Sequence, residues 1–360
     1  MPDAANGRAS AAAAQPRANR VTASFEQALA RYRDLTMDAL FEGIPEGGPQ
    51  YLYNLVADYP RRPGKGLRAA LCLATCAALG GSQKRALDMA VAAELFHNAF
   101  LIHDDVQDES LSRRGGPTLH RAYGNSIAIN VGNATNLLAL QYVINCRRGL
   151  GPKASWVIAQ ETERMMRLSL EGQAIELGWI KDNECRLAPS DYLQMCLKKT
   201  SWYSFVYPMQ IGAVVAEGAS PARYRFGRFG WYIGAAFQIQ DDILNLTGEF
   251  AAYGKERAGD LAEGKRTLML IHLLNACGAR ERQKLVRLLG KRRTARTAPE
   301  LAWIYERMLV HGSVEFARKA ARQFAGAALL EGLSALREVP PSPHRQFILE
   351  MPLYVVSRDR

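Results

Sequence analysis

This 360-residue chain has no C-x-x-C pair and little strict alternation of apolar and polar residues, and its first 22 residues hold no apolar run of the kind expected of a secretory signal. Its six cysteines (Cys72, Cys76, Cys146, Cys185, Cys196 and Cys277) fall mostly in apolar helical patterns, where cysteine behaves as a small core residue. That usage argues against a disulfide scaffold and points to a reducing compartment, the cytoplasm. No apolar run is expected to reach bilayer-spanning length before a charge or turn breaks it, so no membrane span is expected. The scarcity of alternation argues against a mainly β architecture.

Acid is also in short supply. Lys and Arg number 46 against 35 Asp and Glu, a formal charge of +11. Eight of the cations (Arg280, Arg282, Lys284, Arg287, Lys291, Arg292, Arg293 and Arg296) crowd into residues 280–296 beside one acid, Glu281. No nucleic-acid-binding motif accompanies them. The stretch reads as a solvated basic face, and no nucleic-acid partner is expected.

What the chain does have is helical period. At 48% hydrophobic it can bury a large core. Residues 1–22, rich in Ala with a few Arg, read as a disordered tail. Residues 341–360 read as a short Pro-rich tail, and 23–340 as one large all-α domain. Phe25, Leu29, Tyr32 and Leu35 recur at helical spacing. Later runs over 84–108, 125–148, 153–178, 222–247 and 267–336 repeat the pattern.

Two of these runs end alike. Asp104-Asp105 and Asp241-Asp242 are the chain's only Asp-Asp pairs. Each closes an apolar run, and each has an oxygen-bearing side chain four residues after its first Asp, namely Asp108 and Asn245. Residues four apart share a helix face, where like charges repel, so a hard divalent cation with oxygen ligands suits them. Two such helix ends facing each other make a site for several Mg²⁺ ions, whose shell commonly includes substrate phosphates.

Cations for such phosphates are present. Pro63-Gly64-Lys65-Gly66-Leu67-Arg68 is a loop leading into a helix. It reads either as an anion site or as an ordinary basic loop. Arg113 and Arg114 follow the first acidic pair, and Lys199-Thr200 lies in an aromatic surround where an ammonium is costly without an anion. Lys255 and Lys265 sit in a Gly- and charge-rich loop. His97 lies two turns before Asp104, which raises it from a core histidine to a candidate. With apolar walls, the ligand suggested is a diphosphate on a hydrocarbon chain.

These residues resemble the trans-prenyltransferases, or polyprenyl diphosphate synthases, over roughly Thr22 to Leu336. The matches, in order, are Glu94-x-x-His97, Asp104-Asp105-Val106-Gln107-Asp108, Arg113-Arg114-Gly115-Gly116-Pro117-Thr118, Gly172-Gln173, Lys199-Thr200, Phe237-Gln238, Asp241 to Asn245, Gly254-Lys255 and Glu263-Gly264-Lys265-x-Thr267. The resemblance implies the helical isoprenoid-synthase fold, a homodimer, and Mg²⁺ as cofactor, three ions with substrate bound. It further implies Asp104, Asp108 and Asp241 as main metal ligands, with Asp105, Asp242 and Asn245 in support. Gly64, Lys65, Arg68, His97 and Arg114 would hold isopentenyl diphosphate. Arg113, Lys199, Thr200, Gln238, Lys255 and Lys265 would hold the allylic diphosphate. Phe237 has two readings, contact with the cationic species or core packing.

Three positions depart from the family pattern: Gly66 where Arg is usual, Asn133 where Asp is common, and Asn245 for the last Asp of the second motif. Phe100, one turn before Asp104 and about 40° round the helix, is expected below the metals, with the small Ala99 beside it. By family analogy one bulky and one small residue there imply a product of about C20. Two other functions are weighed. A terpene cyclase of the same fold would not need the second pocket of Lys65, Arg68 and His97. A non-catalytic regulatory subunit usually loses an acidic motif, and this chain keeps both.

Overall fold

A computed structural model describes residues 8–247 and 258–357. The architecture is all-α, as expected. In order, the helices are α1 (Arg8–Glu42), the single turns α2 (Tyr53–Val56) and α3 (Asp58–Arg61), α4 (Leu67–Ala78), α5 (Gln83–Gln107), α6 (Leu119–Tyr123) and α7 (Asn125–Asn145). Then come α8 (Arg147–Lys181), α9 (Pro189–Cys196), a π-helix (Leu197–Val206), α10 (Tyr207–Glu217) and α11 (Gly227–Thr247). The last are α12 (Gly259–Glu263), α13 (Leu268–Ala276), α14 (Ala279–Leu289), α15 (Ala298–Val310), α16 (Ser313–Ala335) and α17 (Pro343–Ser357). Among the described residues the strands are two short ones, β1 (Ser112–Arg113) and β2 (Gly116–Pro117), paired antiparallel.

The core follows from which helices are apolar all round. In α4 every residue but Ala77 is buried, as expected of a helix with no polar face. Around it pack α1, α5, α10 and α17. A second cluster gathers Tyr192, Ile243, Leu270, Leu285, Ile304 and Met308 from α9, α11, α13, α14 and α15. The acidic ends of α5 and α11 meet between these two masses.

Several sequence expectations need correction. Most of the stretch 341–360, expected as a tail, is helix: α17 buries Phe347, Ile348, Met351 and Val355. Phe347 stacks on Phe25 with centroids 4.6 Å apart, and burial of one such ring contributes roughly 2–3 kcal/mol. The start signal was present, because Ser342 Oγ accepts from the Arg345 N–H and Pro343 occupies the first helical position, where proline is favoured. In place of a disordered tail over 1–22, the backbone is helical from Arg8, consistent with alanine's high helix propensity.

Contrary to expectation, α7 is by length and composition long and apolar enough to cross a membrane. In this fold it packs along α5, and it carries five asparagines (Asn125, Asn130, Asn133, Asn136 and Asn145). Helix α8 is broken near its start, where Gly151 takes φ +79° and Pro152 restarts the turn.

Candidate active site

A cavity of about 310 Å³ opens between the ends of α5 and α11. Its walls include Lys65, Arg68, His97, Asp104, Arg113, Arg114, Lys199, Thr200, Phe237, Gln238, Asp241, Asp242 and Lys265, so most of the nominated residues converge on one space. Gly64 is there too. Lys255 lies outside the described residues.

The first acidic pair splits its work. Asp104 faces the cavity; Lys199 Nζ lies 3.4 Å from its Oδ1 and Arg113 3.9 Å from its Oδ2. Asp105 turns inward and is almost fully buried. Its Oδ1 accepts from Arg113 Nε at 3.0 Å and also from Arg113 NH2, while Oδ2 accepts from Tyr59 Oη at 2.6 Å. The Asp108 carboxyl is pushed up to about 7, first by burial and then by the Asp104 charge. Lys265 Nζ binds it at 2.6 Å and also meets Glu263 at 2.9 Å.

The second pair repeats the division. Asp241 lines the cavity. Asp242 is buried, accepting from Gln238 Nε2 at 2.8 Å and from Tyr192 Oη at 2.7 Å. Burial and the nearby Asp260 push its carboxyl well above the ordinary range. Asn245 Oδ1 accepts from the Asp260 N–H at 3.1 Å. The side chains of Asp105, Asp242 and Asn245, nominated as supporting ligands, are thus engaged in holding the two helix ends.

Local backbone explains how the cations arrive. Arg114 and Gly115 form the two-residue turn of the β1–β2 hairpin, with φ +49° and +79°. This is the positive-φ pattern of tight hairpins, and it costs a non-glycine residue roughly 1–2 kcal/mol. The turn sends Arg113 to Asp105 and Arg114 to the other side, where its NH1 donates to Tyr59 O at 3.0 Å and its NH2 lies 3.4 Å from His97 Nε2. Burial, opposed by the Glu94 charge and reinforced by the neighbouring arginines, lowers the Arg114 pKa. Arg68 NH2 donates to Tyr203 Oη and Ser204 Oγ, both at 2.8 Å. Gly66, one of the departures from the family pattern, has φ +63° against the Arg33 side chain.

Lys199 and Thr200 lie on the π-helix, which packs unusually closely. A Cβ on Gly172 of α8 would stand 2.3 Å from Lys199 N, and one on Gly234 of α11 would stand 2.3 Å from Ser201 Oγ. Lys199 is paired with Glu176 and Asp104; those carboxylates raise its pKa against the lowering effect of burial. Thr200 Oγ1 donates to Gln238 Oε1 at 2.7 Å.

The donor set is oxygen throughout, which suits a hard divalent cation. Among the described residues no three His, Cys, Asp or Glu are gathered closely enough to hold a metal by themselves. That fits Mg²⁺, which commonly completes its shell with water and substrate phosphate. The raised Asp108 carboxyl marks negative charge that such an ion would compensate.

Residues 49–308 match the family model described as polyprenyl synthetase. The chain belongs to that family. This synthase is 29% identical over 331 residues to the short chain isoprenyl diphosphate synthase of Methanothermobacter thermautotrophicus, covering 92% of this chain and 98% of the relative. It is 29% identical over 298 residues to the octaprenyl diphosphate synthase of Escherichia coli, covering 82% and 87%. The polyprenyl synthase of Caulobacter crescentus CB15, solved with calcium and isoprenyl diphosphate, matches with a TM-score of 0.81 at 26% identity over 95% of this chain and 98% of that one. Prenyl diphosphate synthesis is the activity class, and the fold is that of the isoprenoid synthases.

Sequence reasoning about the synthase missed four residues at the site. Nothing in the sequence singles out Tyr59, Tyr192 or Glu176. Arg293 was placed on a solvated basic face, which is corrected here. Its NH1 donates to Asp108 O at 2.8 Å and Glu263 Oε1 at 2.7 Å, while Arg296 donates to the carbonyls of Ala262, Leu288 and Leu289. Part of the basic stretch thus braces the active-site loop.

Proposed function

We propose that the synthase condenses isopentenyl diphosphate head to tail with an allylic diphosphate, giving an all-trans prenyl diphosphate of about C20. The observation that carries this reading is the separation of charge within one cavity. Asp104 and Asp241 stand with Lys199, Lys265 and Arg113 on one side, with Asp108 buried behind Lys265, and Lys65, Arg68, His97 and Arg114 gather around the other. Two diphosphates with different tasks suit such a division.

Bound Mg²⁺, held chiefly by Asp104, Asp108 and Asp241, would supply charge stabilisation for the leaving diphosphate. Lys199, Arg113 and Lys265 add fixed positive charge where negative charge develops as the allylic C–O bond breaks. Thr200 and Gln238, bonded to each other at 2.7 Å, offer hydroxyl and amide contacts to the same group. Arg68, Arg114, His97 and Lys65 hold the second diphosphate so that its double bond lies close to the allylic carbon. Phe237 packs edge-on against Phe205 with centroids 5.4 Å apart, which supports its packing role.

Product length rests on Phe100, half-buried below Asp104 beside a fully buried Ala99. Relatives at similar identity are named as geranylgeranyl, geranylfarnesyl and octaprenyl synthases, so C20 is carried by Phe100 alone. Phe100→Ala is expected to lengthen the main product by mass spectrometry; unchanged length would remove Phe100 as the stop.

A homodimer is supported by an exposed apolar face. Leu137 and Ile144 lie two turns apart on α7, and Trp156 and Leu170 four turns apart on α8, each at least 59% exposed. Ile144→Glu should convert a dimer to a monomer in equilibrium sedimentation. The free cysteines support a cytoplasmic location.

The deciding assay supplies Mg²⁺, isopentenyl diphosphate and dimethylallyl or farnesyl diphosphate. A longer prenyl diphosphate supports this reading, a hydrocarbon supports a cyclase, and no turnover supports a regulatory subunit.

A further inference from the structure

Beside the charged chamber lies a second cavity of about 290 Å³, lined by Phe100 and other residues of α5, α7 and α8 and by Lys199 and Tyr203 of the π-helix. The two cavities share Leu101, Asp104, Lys199 and Tyr203 as lining residues. Phe100 does not stand alone at this junction. The Tyr203 ring meets it edge-on, with centroids 5.4 Å apart and planes at 86°. Edge-to-face pairs of this kind add stability beyond their burial.

Tyr203 is in turn fixed by the diphosphate pocket. Arg68 NH2 donates to its hydroxyl at 2.8 Å, and the guanidinium carbon lies 4.5 Å from the ring centroid. His97 lies on the same ring, 6.1 Å away and tilted 30°. One aromatic side chain therefore touches the length stop, the wall of both cavities and a cation of the second diphosphate site.

We propose that Tyr203 is a specificity-determining residue for product length: with Phe100 it forms the partition between the two cavities, and Arg68 latches it in place. A prenyl chain anchored by its diphosphate at the acidic rim grows into apolar space. The two rings stand in the wall between the cavities, beside Leu101, Asp104 and Lys199. Phe100 supplies one side of the partition from α5, and Tyr203 supplies the other from the π-helix. The hydroxyl holds the second ring against Arg68, so loss of that hydrogen bond lets the ring swing while its bulk remains. The inference rests on the elongation reading given above; a wild-type protein that makes no prenyl diphosphate would sink that reading, whereas the variants below speak only to the partition.

The test is the product distribution of five variants (the Phe100→Ala protein above among them), by mass, each with a thermal melt to establish folding. Tyr203→Leu should give a main product at least one isoprene unit longer, and Phe100→Ala with Tyr203→Leu should exceed either alone. Tyr203→Phe should keep the main product and add a minor fraction one unit longer. Ser204→Ala removes the other acceptor of the same Arg68 nitrogen, but Ser204 does not line the second cavity, so its products should match wild type. Unchanged products from Tyr203→Leu, both alone and with Phe100→Ala, would overturn the partition. Equal lengthening by Ser204→Ala would overturn it too, by making the effect a general loosening of the π-helix. Wild-type products from Tyr203→Phe would overturn the latch.

Discussion

Asp105 and Asp242 occupy equivalent places, each the second residue of its pair and each accepting from a tyrosine, yet their other partners differ. Asp105 is closed off by the Arg113 guanidinium, so the first helix end carries an internal counter-charge. Asp242 is closed off by the neutral amide of Gln238, and burial pushes its carboxyl well above the usual range. The lesson is that one half of the site is compensated within the protein while the other is built to lower its own charge. In both halves, the second Asp aims the helix end and leaves the first Asp to face the cavity.

Three experiments probe this contrast, in falling order of effect. Asp104→Ala removes a cavity-facing carboxylate and should cut turnover by about a thousandfold, while the urea midpoint stays near wild type. Near-normal turnover with isopentenyl diphosphate as limiting substrate would break the division of labour within the pair.

Removal of each tyrosine hydroxyl then compares the halves directly. Tyr59→Phe takes a donor from an ion-paired acceptor and should cost about 1.5–3 kcal/mol. Tyr192→Phe takes one from a carboxyl driven toward its neutral form and should cost about 1 kcal/mol. Urea unfolding of both variants measures the order, and the reverse order would undo the comparison.

The smallest effect belongs to Arg293→Met. That change removes one partner each from Asp108 O and Glu263 and should raise the Mg²⁺ concentration for half-maximal activity about tenfold, the range seen when groups supporting metal ligands are lost. An unmoved Mg²⁺ curve would return Arg293 to the solvated face.

How legible all this was depended on whether a residue type is unusual where it stands. Two acids closing an apolar helix are conspicuous, so both pairs and their partner cations were readable, along with the helical class. A tyrosine at helical spacing is not conspicuous, which hid Tyr59 and Tyr192 until the fold set their hydroxyls on Asp105 and Asp242. The cluster of prolines before α17 disguised a helix, because proline marks both loops and first turns. Arg293 was concealed by its company: among the eight cations of that stretch, nothing in the sequence singles out those that turn inward. The closeness of Gly172 and Gly234 to the π-helix was likewise unreadable, since it depends on three separate helices meeting.

Ten residues of π-helix carry Lys199 and Tyr203 on one segment. In such a segment hydrogen bonds reach five residues back instead of four. Its length is therefore a constraint separate from its composition. Deletion of a single residue between Leu197 and Val206 would favour ordinary helical bonding and turn everything after it by roughly 100° relative to what precedes. The ammonium at Lys199 and the ring at Tyr203 would then no longer face the spaces they now serve. Natural variation in this stretch should accordingly run to exchanged side chains, with insertions and deletions falling elsewhere in the chain.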